Sequence, residues 1–450
     1  MLAGSAQREA KAATGRLGEW VATLRWNDVP PSARARLGLV LLDSLGVTMV
    51  GARQPEQHEL VRAWRPPEGP APVVGGGRTT SVEAAAWLNA MALVRLEMDE
   101  GHKFAAGHPL AHGLPAVLAL AADLGSSGED TVAALVATYE VAARFGRATR
   151  LRSGFHPHGS WGVAGAAAGC ARLLGLDAAA VAAAIDTGAG LPIAGHFSSA
   201  LDGNPVRDAW MAASNLSGLA AARMAAAGVA RCTGTAASSL GELVGSFDPL
   251  ALDDALGERW DIELGYFKRH ASCSFTHPVA DAALELRAGL ADPTDVDEVM
   301  VETHFLASGL DRTYWNERLG ALFSIPFVVA AALVHGRVDP SVSAPEHLHD
   351  PRVRELAGKV TVRRADDLDA RLPGERAARV RLTAGGRTHQ AEVPNPVGDA
   401  AYRPLSEQDV LALLAELLGD RIAVRTVHEV ARELPACEDV TSTLQRLAGV

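Results

Sequence analysis

The chain has few aromatic residues and few cysteines for its length. Phe, Trp and Tyr together make up 5% of its 450 residues, and the cysteines form no CxxC pair: Cys170, Cys232, Cys273 and Cys437. Cysteines spaced so widely do not favour a disulfide framework or a compact set of iron–sulfur ligands. Apolar residues still make up 48%, with alanine the most abundant. Because alanine is the strongest helix former, the composition predicts a mostly helical protein.

Excess positive charge and an export signal are also missing. The net charge of −11 argues against a nucleic-acid partner, and it means that an anionic substrate needs a local group of cations. The first twenty residues contain no apolar signal segment, and the longest apolar stretches are interrupted by charge, Gly or Pro. We therefore expect no membrane partner and a cytoplasmic location. GxSxG, P-loop and Rossmann glycine patterns are absent, which leaves acyl transfer and nucleotide chemistry without support.

Hydrophobic periodicity divides the chain into a helical and a mixed part. Residues 33–49 and 129–147 carry apolar side chains at helical spacing. Residues 296–303 alternate like a strand, and Gly385-Gly386 is typical of a hairpin turn. Helical spacing returns after Ser406. We predict a mainly α fold with a large all-helical domain built from both chain ends, residues 1–265 with 405–450, and a smaller α+β lid domain at residues 266–404.

The densest group of polar residues lies in the segment LEMDEGHKFAAGHPLAH. Within sixteen residues it holds three carboxylates and three imidazoles, with Lys103 among them: Glu97, Asp99, Glu100, His102, His108 and His112. Pro109 is typical of the first turn of a helix, which would place His108 at a helix N-terminus. The helix dipole disfavours an imidazolium there, and a neutral imidazole can act as a general base or acid. One histidine alone could simply cap a helix, but the whole group favours a functional site.

A metal site is the rival interpretation of this segment. His108 and His112 have i, i+4 spacing and could face one ion. The glutamate of the HExxH motif is missing between them, which makes a metal the weaker hypothesis.

Three later segments place histidines, cations or both before apolar helices. His156 and His158 precede a helix of small residues, although His158 alone favours a structural role. Arg207 opens a long helix and could pair with a substrate carboxylate or, equally, with a nearby aspartate. Lys268 lies in KRHASCSFTHP, at the predicted domain boundary where clefts often form. A solvated charge run is an equal alternative for this last segment.

Taken together, these segments resemble the MmgE/PrpD family, which includes 2-methylcitrate dehydratase, cis-aconitate decarboxylase and iminodisuccinate epimerase. The resemblance rests on seven motifs in order: LLDSLGVTMVGA, LEMDEGHKFAAGHPLAHGLPAVLALA, FHPHGSWGVAGAAAGCARLLGLD, DGNPVRDAWMAASNLSGLAAARMAAAG, KRHASCSFTHPVADAALEL, FSIPFVVAAALVHGRV and VPNPVGDAAYRPLS. It implies the two-domain fold described above, a homodimer, and no need for a metal or organic cofactor.

The resemblance also implies roles for single residues. The family's acidic motif falls on Glu97, Asp99 and Glu100, its two histidines on His108 and His156, and its tyrosine on Tyr314. Its two lysines align with Arg207 and Lys268. Gly101, Arg207 and Cys273 depart from the family pattern. Because arginine is a planar fork and lysine a point charge, we expect a substrate other than methylcitrate or cis-aconitate.

The resulting hypothesis is a cofactor-free lyase that moves a proton next to a carboxylate of a small anionic substrate. His108 or His156 is the expected acid or base, with Asp99, His102 and Tyr314 as further catalytic candidates. The substrate-binding candidates are Arg207, Lys268, Glu97 and Lys103. Dehydration or decarboxylation is favoured, epimerisation is the alternative, and a non-catalytic binding protein on the same scaffold is the third possibility.

Overall fold

The computed structural model describes residues 2–292 and 295–450. This part of the chain is mainly helical, as predicted, and its α-helices are α1 (Leu2–Thr23), α2 (Pro31–Ala52), α3 (Pro55–Trp64), α4 (Val82–Val94), α5 (Leu114–Leu124), α6 (Gly128–Ala148), α7 (Val163–Leu173), α8 (Ala178–Ala189), α9 (Ser198–Leu201), α10 (Val206–Ala226), α11 (Ala236–Ser238), α12 (His277–Arg287), α13 (Arg318–Leu322), α14 (Ile325–His335), α15 (Pro351–Ala357), α16 (Asp366–Asp369), α17 (Glu407–Leu418), α18 (Arg421–Glu433) and α19 (Thr441–Gln445).

The strands are short and form small sheets. They are β1 (Ala71–Val73), β2 (Arg78–Thr80), β3 (Gly101–His102), β4 (Thr149–Leu151), β5 (Gly245–Phe247), β6 (Gly265–Tyr266), β7 (Glu298–Thr303), β8 (Val360–Arg364), β9 (Ala378–Ala384) and β10 (Arg387–Val393). Four of them form one sheet in the order β10-β9-β7-β8, in which β7 and β8 are parallel and the other neighbours antiparallel. Gly385 and Gly386, both with positive φ, make the predicted hairpin turn between β9 and β10.

Side-chain caps set where several helices begin. The side chains of Ser81, Ser127 and Asp177 accept hydrogen bonds from backbone N–H groups in the first turns of α4, α6 and α8. Ser406 and Asp409 form a reciprocal capping box at the start of α17. These caps satisfy N–H groups that have no partner inside the helix, so the sequence itself marks these boundaries.

The buried apolar side chains fall into two groups. The first contains residues from Ala13 to Ala271 together with residues from Leu405 to Leu447. The second contains residues from Cys273 to Val393, with Ala200 added from the helical part. This grouping follows the change in sequence pattern near residues 265 and 405, while the domain boundaries themselves stay a prediction.

One helix corrects an expectation from the sequence. Helix α2 is long and apolar enough to cross a membrane by length and composition, although we expected no such stretch. Of its most apolar window, 78% is buried inside the protein. It packs against α4, α17 and α18, so its apolar surface covers other helices.

Small residues allow these helices to approach closely, and Gly51 of α2 gives a direct test. A Cβ at Gly51 would overlap the backbone carbonyl of Ala92, whereas a Cβ at Gly38 of the same helix would meet nothing within 4 Å. We predict that Gly51→Ala lowers the free energy of unfolding by about 1–3 kcal/mol, because the clash is with backbone. Gly38→Ala, the matched control, should be neutral or stabilising by up to about 1 kcal/mol. Urea unfolding of both variants checks this, and equal effects would contradict close packing at Gly51.

Candidate active site

A short β-pairing brings the acidic segment to the lysine segment. Strands β3 and β6 are antiparallel, with Gly101 opposite Tyr266 and His102 opposite Gly265. Two positions beyond the first pair, Asp99 and Lys268 come together, and Lys268 Nζ donates to Asp99 Oδ1 at 3.0 Å. Two residues separated by 169 positions are thus joined by the register of a two-residue ladder.

Two carboxylates and two cations form a buried ion network. Glu97 pairs with Arg207 through one oxygen, and Lys268 Nζ lies 3.4 Å from the other. Arg207 also donates to the Val94 carbonyl at 2.8 Å and to Asp208 Oδ1 at 3.1 Å. Glu97, Asp99, Arg207 and Lys268 are each no more than 1% exposed. Since isolated charges are costly to bury, the pairing of carboxylates with cations offsets the cost of burying these four groups.

Glu97 also has an unusual backbone. Its φ of 56° lies in the left-handed region, which a residue with a side chain rarely adopts. Such a conformation costs of the order of 1 kcal/mol or more and persists where surrounding contacts hold it. Its ion pairs with Arg207 and Lys268 are contacts of this kind.

His108 is fixed in one tautomer by its contacts. A tight loop, in which the backbones of His102 and Gly107 bond to each other, returns the chain to Glu100. His108 Nδ1 lies 2.6 Å from the Glu100 carbonyl oxygen and 3.1 Å from Asp99 Oδ2. A carbonyl oxygen only accepts hydrogen bonds, so Nδ1 carries the proton and Nε2 keeps a free lone pair. Burial lowers the pKa of His108 to about 4, so this ring is neutral at neutral pH.

This placement corrects one prediction. Pro109 does not begin a helix, because residues 109–113 form turns and α5 begins at Leu114. The neutral state of His108 therefore follows from burial rather than from a helix dipole.

His156 has the opposite tautomer. Its Nδ1 accepts a hydrogen bond from the His158 backbone N–H at 3.1 Å, so the ring proton lies on Nε2. Phe197 stacks on the ring with centroids 5.3 Å apart, and Trp210 lies 5.4 Å away. Burial is the main cause that lowers the pKa of His156 to about 3. A neutral donor at His156 and a neutral acceptor at His108 are the two partners that proton transfer needs.

Four rings form what we call the imidazole cluster: His108, His112, His156 and His158. The His158 ring is central, with its centroid 4.5 Å from that of His156, 5.2 Å from His108 and 6.4 Å from His112. Its Nε2 lies 3.3 Å from Arg207 Nη2, which links the imidazole cluster to the ion network.

Behind the ion network lies a second group of acidic side chains that the sequence did not single out as one unit. Glu100 accepts from the Leu110 N–H at 2.8 Å and from the Tyr139 hydroxyl at 3.3 Å. Burial raises the pKa of Glu100 to about 8 and raises that of the nearby Asp43 well above its ordinary range. Tyr139 and Asp43 lie within apolar helices, and no signal in the sequence marked them.

Three of the predicted site residues are held elsewhere. His102 Nε2 faces Asp261 Oδ1 at 3.6 Å, on the side of Tyr139 and away from the imidazole cluster. Lys103 donates to Asp399 at 2.9 Å and to the Gly374 carbonyl at 2.8 Å, which ties the acidic segment to loops of residues 266–404. Tyr314 is 66% exposed at the surface. The structure therefore does not bring these three side chains to Arg207 and Lys268.

The metal hypothesis paired His108 with His112, but the structure holds His112 by another contact. His112 Nδ1 is bonded to Ser214 Oγ at 2.8 Å. Among the described residues, possible ligand atoms converge on Asp99, His108 and His158, all within 4.8 Å of one another. Lys268 contacts Asp99 and Arg207 contacts His158. One oxygen of Asp99 and the Nε2 lone pair of His158 are therefore already paired with cations of the protein in this structure.

A separate cleft of about 590 Å³ lies between α3 and the β1–β2 hairpin. Its lining includes Arg62, Arg65 and Arg78 but no member of the imidazole cluster or the ion network. We place the candidate active site at the buried groups, because these combine acid–base groups with cations and the cleft does not.

Comparisons with known proteins agree with the order of the motifs. Residues 15–241 match the MmgE/PrpD N-terminal domain, and residues 270–434 match the MmgE/PrpD C-terminal domain. The cis-aconitate decarboxylase of Aspergillus terreus is 24% identical over 482 residues, covering 98% of this chain and 97% of the relative. A cis-aconitate decarboxylase-like protein, oryM, of Aspergillus oryzae is 26% identical over 475 residues, covering 97% of each chain.

The raised pKa of Glu100 predicts a pH effect on stability. The unfolded chain releases this proton near the ordinary pKa of 4.5, while the folded chain keeps it up to about 8. Stability contributed by this group is therefore lost as pH rises from about 4.5 to 8. Glu100→Gln should gain stability relative to the wild type over this range, by on the order of a few kcal/mol at pH 8 compared with pH 5.

Urea unfolding at several pH values measures this difference. Glu258→Gln, at an exposed position, is the matched control for the loss of one carboxyl group. A Glu100→Gln difference that does not change between pH 5 and pH 8 would show that Glu100 ionises normally in the folded protein.

Proposed function

The chain belongs to the MmgE/PrpD family, and on that premise we propose that it is a lyase acting on a small polycarboxylate by proton transfer at a carbon next to a carboxylate. One observation carries this proposal. Two neutral imidazoles of opposite tautomer, His108 and His156, lie in one buried cluster that contacts Arg207 of the ion network. Family membership supports a decarboxylase or dehydratase type of reaction, and the hydrogen bonds support the choice of these two histidines.

Substrate recognition would occur by exchange of partners in the ion network. Arg207 and Lys268 are paired with Glu97 and Asp99 in this structure. A substrate carboxylate can replace Glu97 at Arg207, because an arginine fork binds planar carboxylates through two donors. A second carboxylate can then reach Lys268. A substrate with at least two carboxylates satisfies both cations at once.

The tautomers support one assignment of the two proton-transfer roles. His108 Nε2, with its free lone pair, is the base in this proposal, and Asp99 with the Glu100 carbonyl holds the ring in place. His156 Nε2–H is the acid. Since burial keeps the pKa of both rings low, the base remains unprotonated at neutral pH.

We propose decarboxylation first, because the relatives described above are named as cis-aconitate decarboxylases. In this step the bond to one carboxylate carbon breaks, carbon dioxide leaves, and the electron pair stays on the neighbouring carbon. The Nε2–H of His156 then gives its proton to that carbon, and the imidazolate left behind takes a proton back from water before the next turnover. Dehydration or epimerisation would use His108 to remove a proton instead. Because Arg207 stands where the family pattern has a lysine, we still expect a substrate other than cis-aconitate.

A proton-exchange screen tests the lyase proposal. Candidate di- and tricarboxylates, with cis-aconitate first, are incubated with the protein in heavy water with a chelator present, and followed by NMR. We expect loss of a carboxylate or of water from one compound, with deuterium entering the adjacent carbon. Deuterium exchange without bond cleavage would favour an epimerase, and binding without any exchange would favour a non-catalytic protein. Turnover that appears only without chelator would contradict a cofactor-free reaction.

For the acid, we predict that His156→Gln lowers turnover by roughly 10²–10⁴-fold, the usual contribution of general acid–base catalysis. Glutamine keeps a polar group near Nε2 but does not titrate. KM should change much less, because Arg207 and Lys268 still hold the carboxylates. The thermal midpoint should fall modestly, because the buried ring packs on Phe197 and accepts a hydrogen bond from the His158 N–H. Steady-state kinetics and thermal unfolding measure the three quantities. Near-full turnover with reduced stability would show that His156 is structural.

For the assembly, we propose a homodimer, since the family resemblance implies one and most soluble oligomers have closed symmetry. Sedimentation velocity at micromolar concentration should give a mass near twice the chain's 47.0 kDa. A monomer mass at that concentration would contradict it.

A further inference from the structure

The hydrogen bonds of His158 fix where its proton lies. Arg207 Nη2 is 3.3 Å from His158 Nε2, and a guanidinium nitrogen can only donate. Nε2 is therefore the acceptor. A neutral imidazole carries one proton, so this proton lies on Nδ1. The groups around the ring include Arg207, the other three members of the imidazole cluster, and Asp99, which has a carboxylate oxygen within 4.8 Å of a ring nitrogen.

Within the part of the chain that the structure describes, the buried Nδ1–H of His158 has no acceptor. Neither His158 Nδ1 nor Arg207 Nε has a hydrogen-bond partner among the described residues, and both residues have no exposed surface. Leaving a buried donor unpaired is costly, so unpaired donors on two touching side chains are expected where a ligand supplies the acceptors. An oxygen-rich anion supplies acceptors and no donors.

We propose that His158 is a substrate-binding residue whose Nδ1–H donates a hydrogen bond to an oxygen of the bound polycarboxylate, with Arg207 holding the ring in the required tautomer. This inference rests on the proposed function, because it names a further contact in the same site. His158 does not transfer the proton of the reaction, since its only lone pair is occupied by Arg207. Its contribution is to substrate affinity and to the orientation of one carboxylate.

The neutral state of the His158 ring supports this role. Burial is the largest cause that lowers its pKa well below the ordinary value, followed by the neighbouring His156, His108 and His112. The ring is therefore a neutral donor at neutral pH. A neutral donor adds a directed hydrogen bond beside Arg207 without adding a third positive charge to the site.

Two amide substitutions distinguish the roles of the two ring nitrogens of His158. Asparagine can place its side-chain N–H where His158 Nδ1 lies, whereas glutamine reaches the position of Nε2. His158→Gln thus keeps a partner for Arg207 but loses the donor, and His158→Asn keeps the donor. His304→Gln is the control, because His304 is a buried histidine in the sheet-containing part with no partner for either ring nitrogen among the described residues.

Binding of tricarballylate, a saturated tricarboxylate that a decarboxylase cannot turn over, is measured by calorimetry on the full chain. We expect His158→Gln to raise Kd by about 10-fold or more, the usual effect of losing a hydrogen bond to a charged group. His158→Asn should stay within about 3-fold of the wild type. Equal losses in both variants, or none in either, would overturn the inference.

A second measurement does not depend on activity or on a variant that folds. Nitrogen NMR of the histidine-labelled wild type reports the tautomer of each ring. We expect the Nδ1–H form for His158, and an Nε2–H form or an imidazolium would overturn this inference alone. A protein that binds tricarballylate through His158 but turns over no carboxylate would instead contradict the proposed lyase function and leave the binding role in place.

Discussion

Mutual neutralisation of Glu97 and Asp99 with Arg207 and Lys268 is the interaction on which the site depends. The four side chains come from the acidic segment, the start of α10 and the residues after β6, and they meet away from solvent. Removing one partner would leave a buried charge without compensation, which typically costs several kcal/mol. The same network holds Glu97 in its left-handed backbone conformation and keeps two cations ready for a substrate that can replace the internal carboxylates.

Beside these charges, the imidazole cluster supplies ring nitrogens that donate or accept protons at fixed positions. Backbone groups favour two of its tautomers: the Glu100 carbonyl, together with Asp99, for His108, and the His158 N–H for His156. Backbone positions change little with pH, so the backbone part of these assignments does not depend on the ionisation of a neighbour. Burial then keeps both rings neutral. A base and an acid can therefore coexist within one cluster at neutral pH, which like-charged imidazolium rings could not do.

Much of this arrangement could be predicted from the sequence. Helical periodicity, cap residues and the Gly385-Gly386 turn are local signals, and the corresponding elements formed near their predicted positions. The order of the motifs predicted one site that contains Glu97, Asp99, His108, Arg207 and Lys268. The structure places these side chains together. Whether each has the proposed role stays a prediction.

The remaining features depend on long-range contacts and side-chain direction. His102 and Lys103 lie in the right segment, but the ladder with Gly265 and the contact with Asp399 turn them away from the cluster. The sequence favoured a structural role for His158, because its contact with Arg207 depends on the fold. No sequence pattern indicated that Tyr139 of α6 lies near the site. Apolar spacing predicts which face of a helix is buried, but it does not predict which residues that face contacts.

A crystal structure with tricarballylate bound tests the exchange of partners in the ion network most directly. We expect a ligand carboxylate within hydrogen-bond distance of Arg207 or Lys268, Glu97 displaced from Arg207, and the ligand facing His108 Nε2. A ligand seated only in the cleft lined by Arg62, Arg65 and Arg78, with the contact between Glu97 and Arg207 unchanged, would contradict a substrate site built on this network.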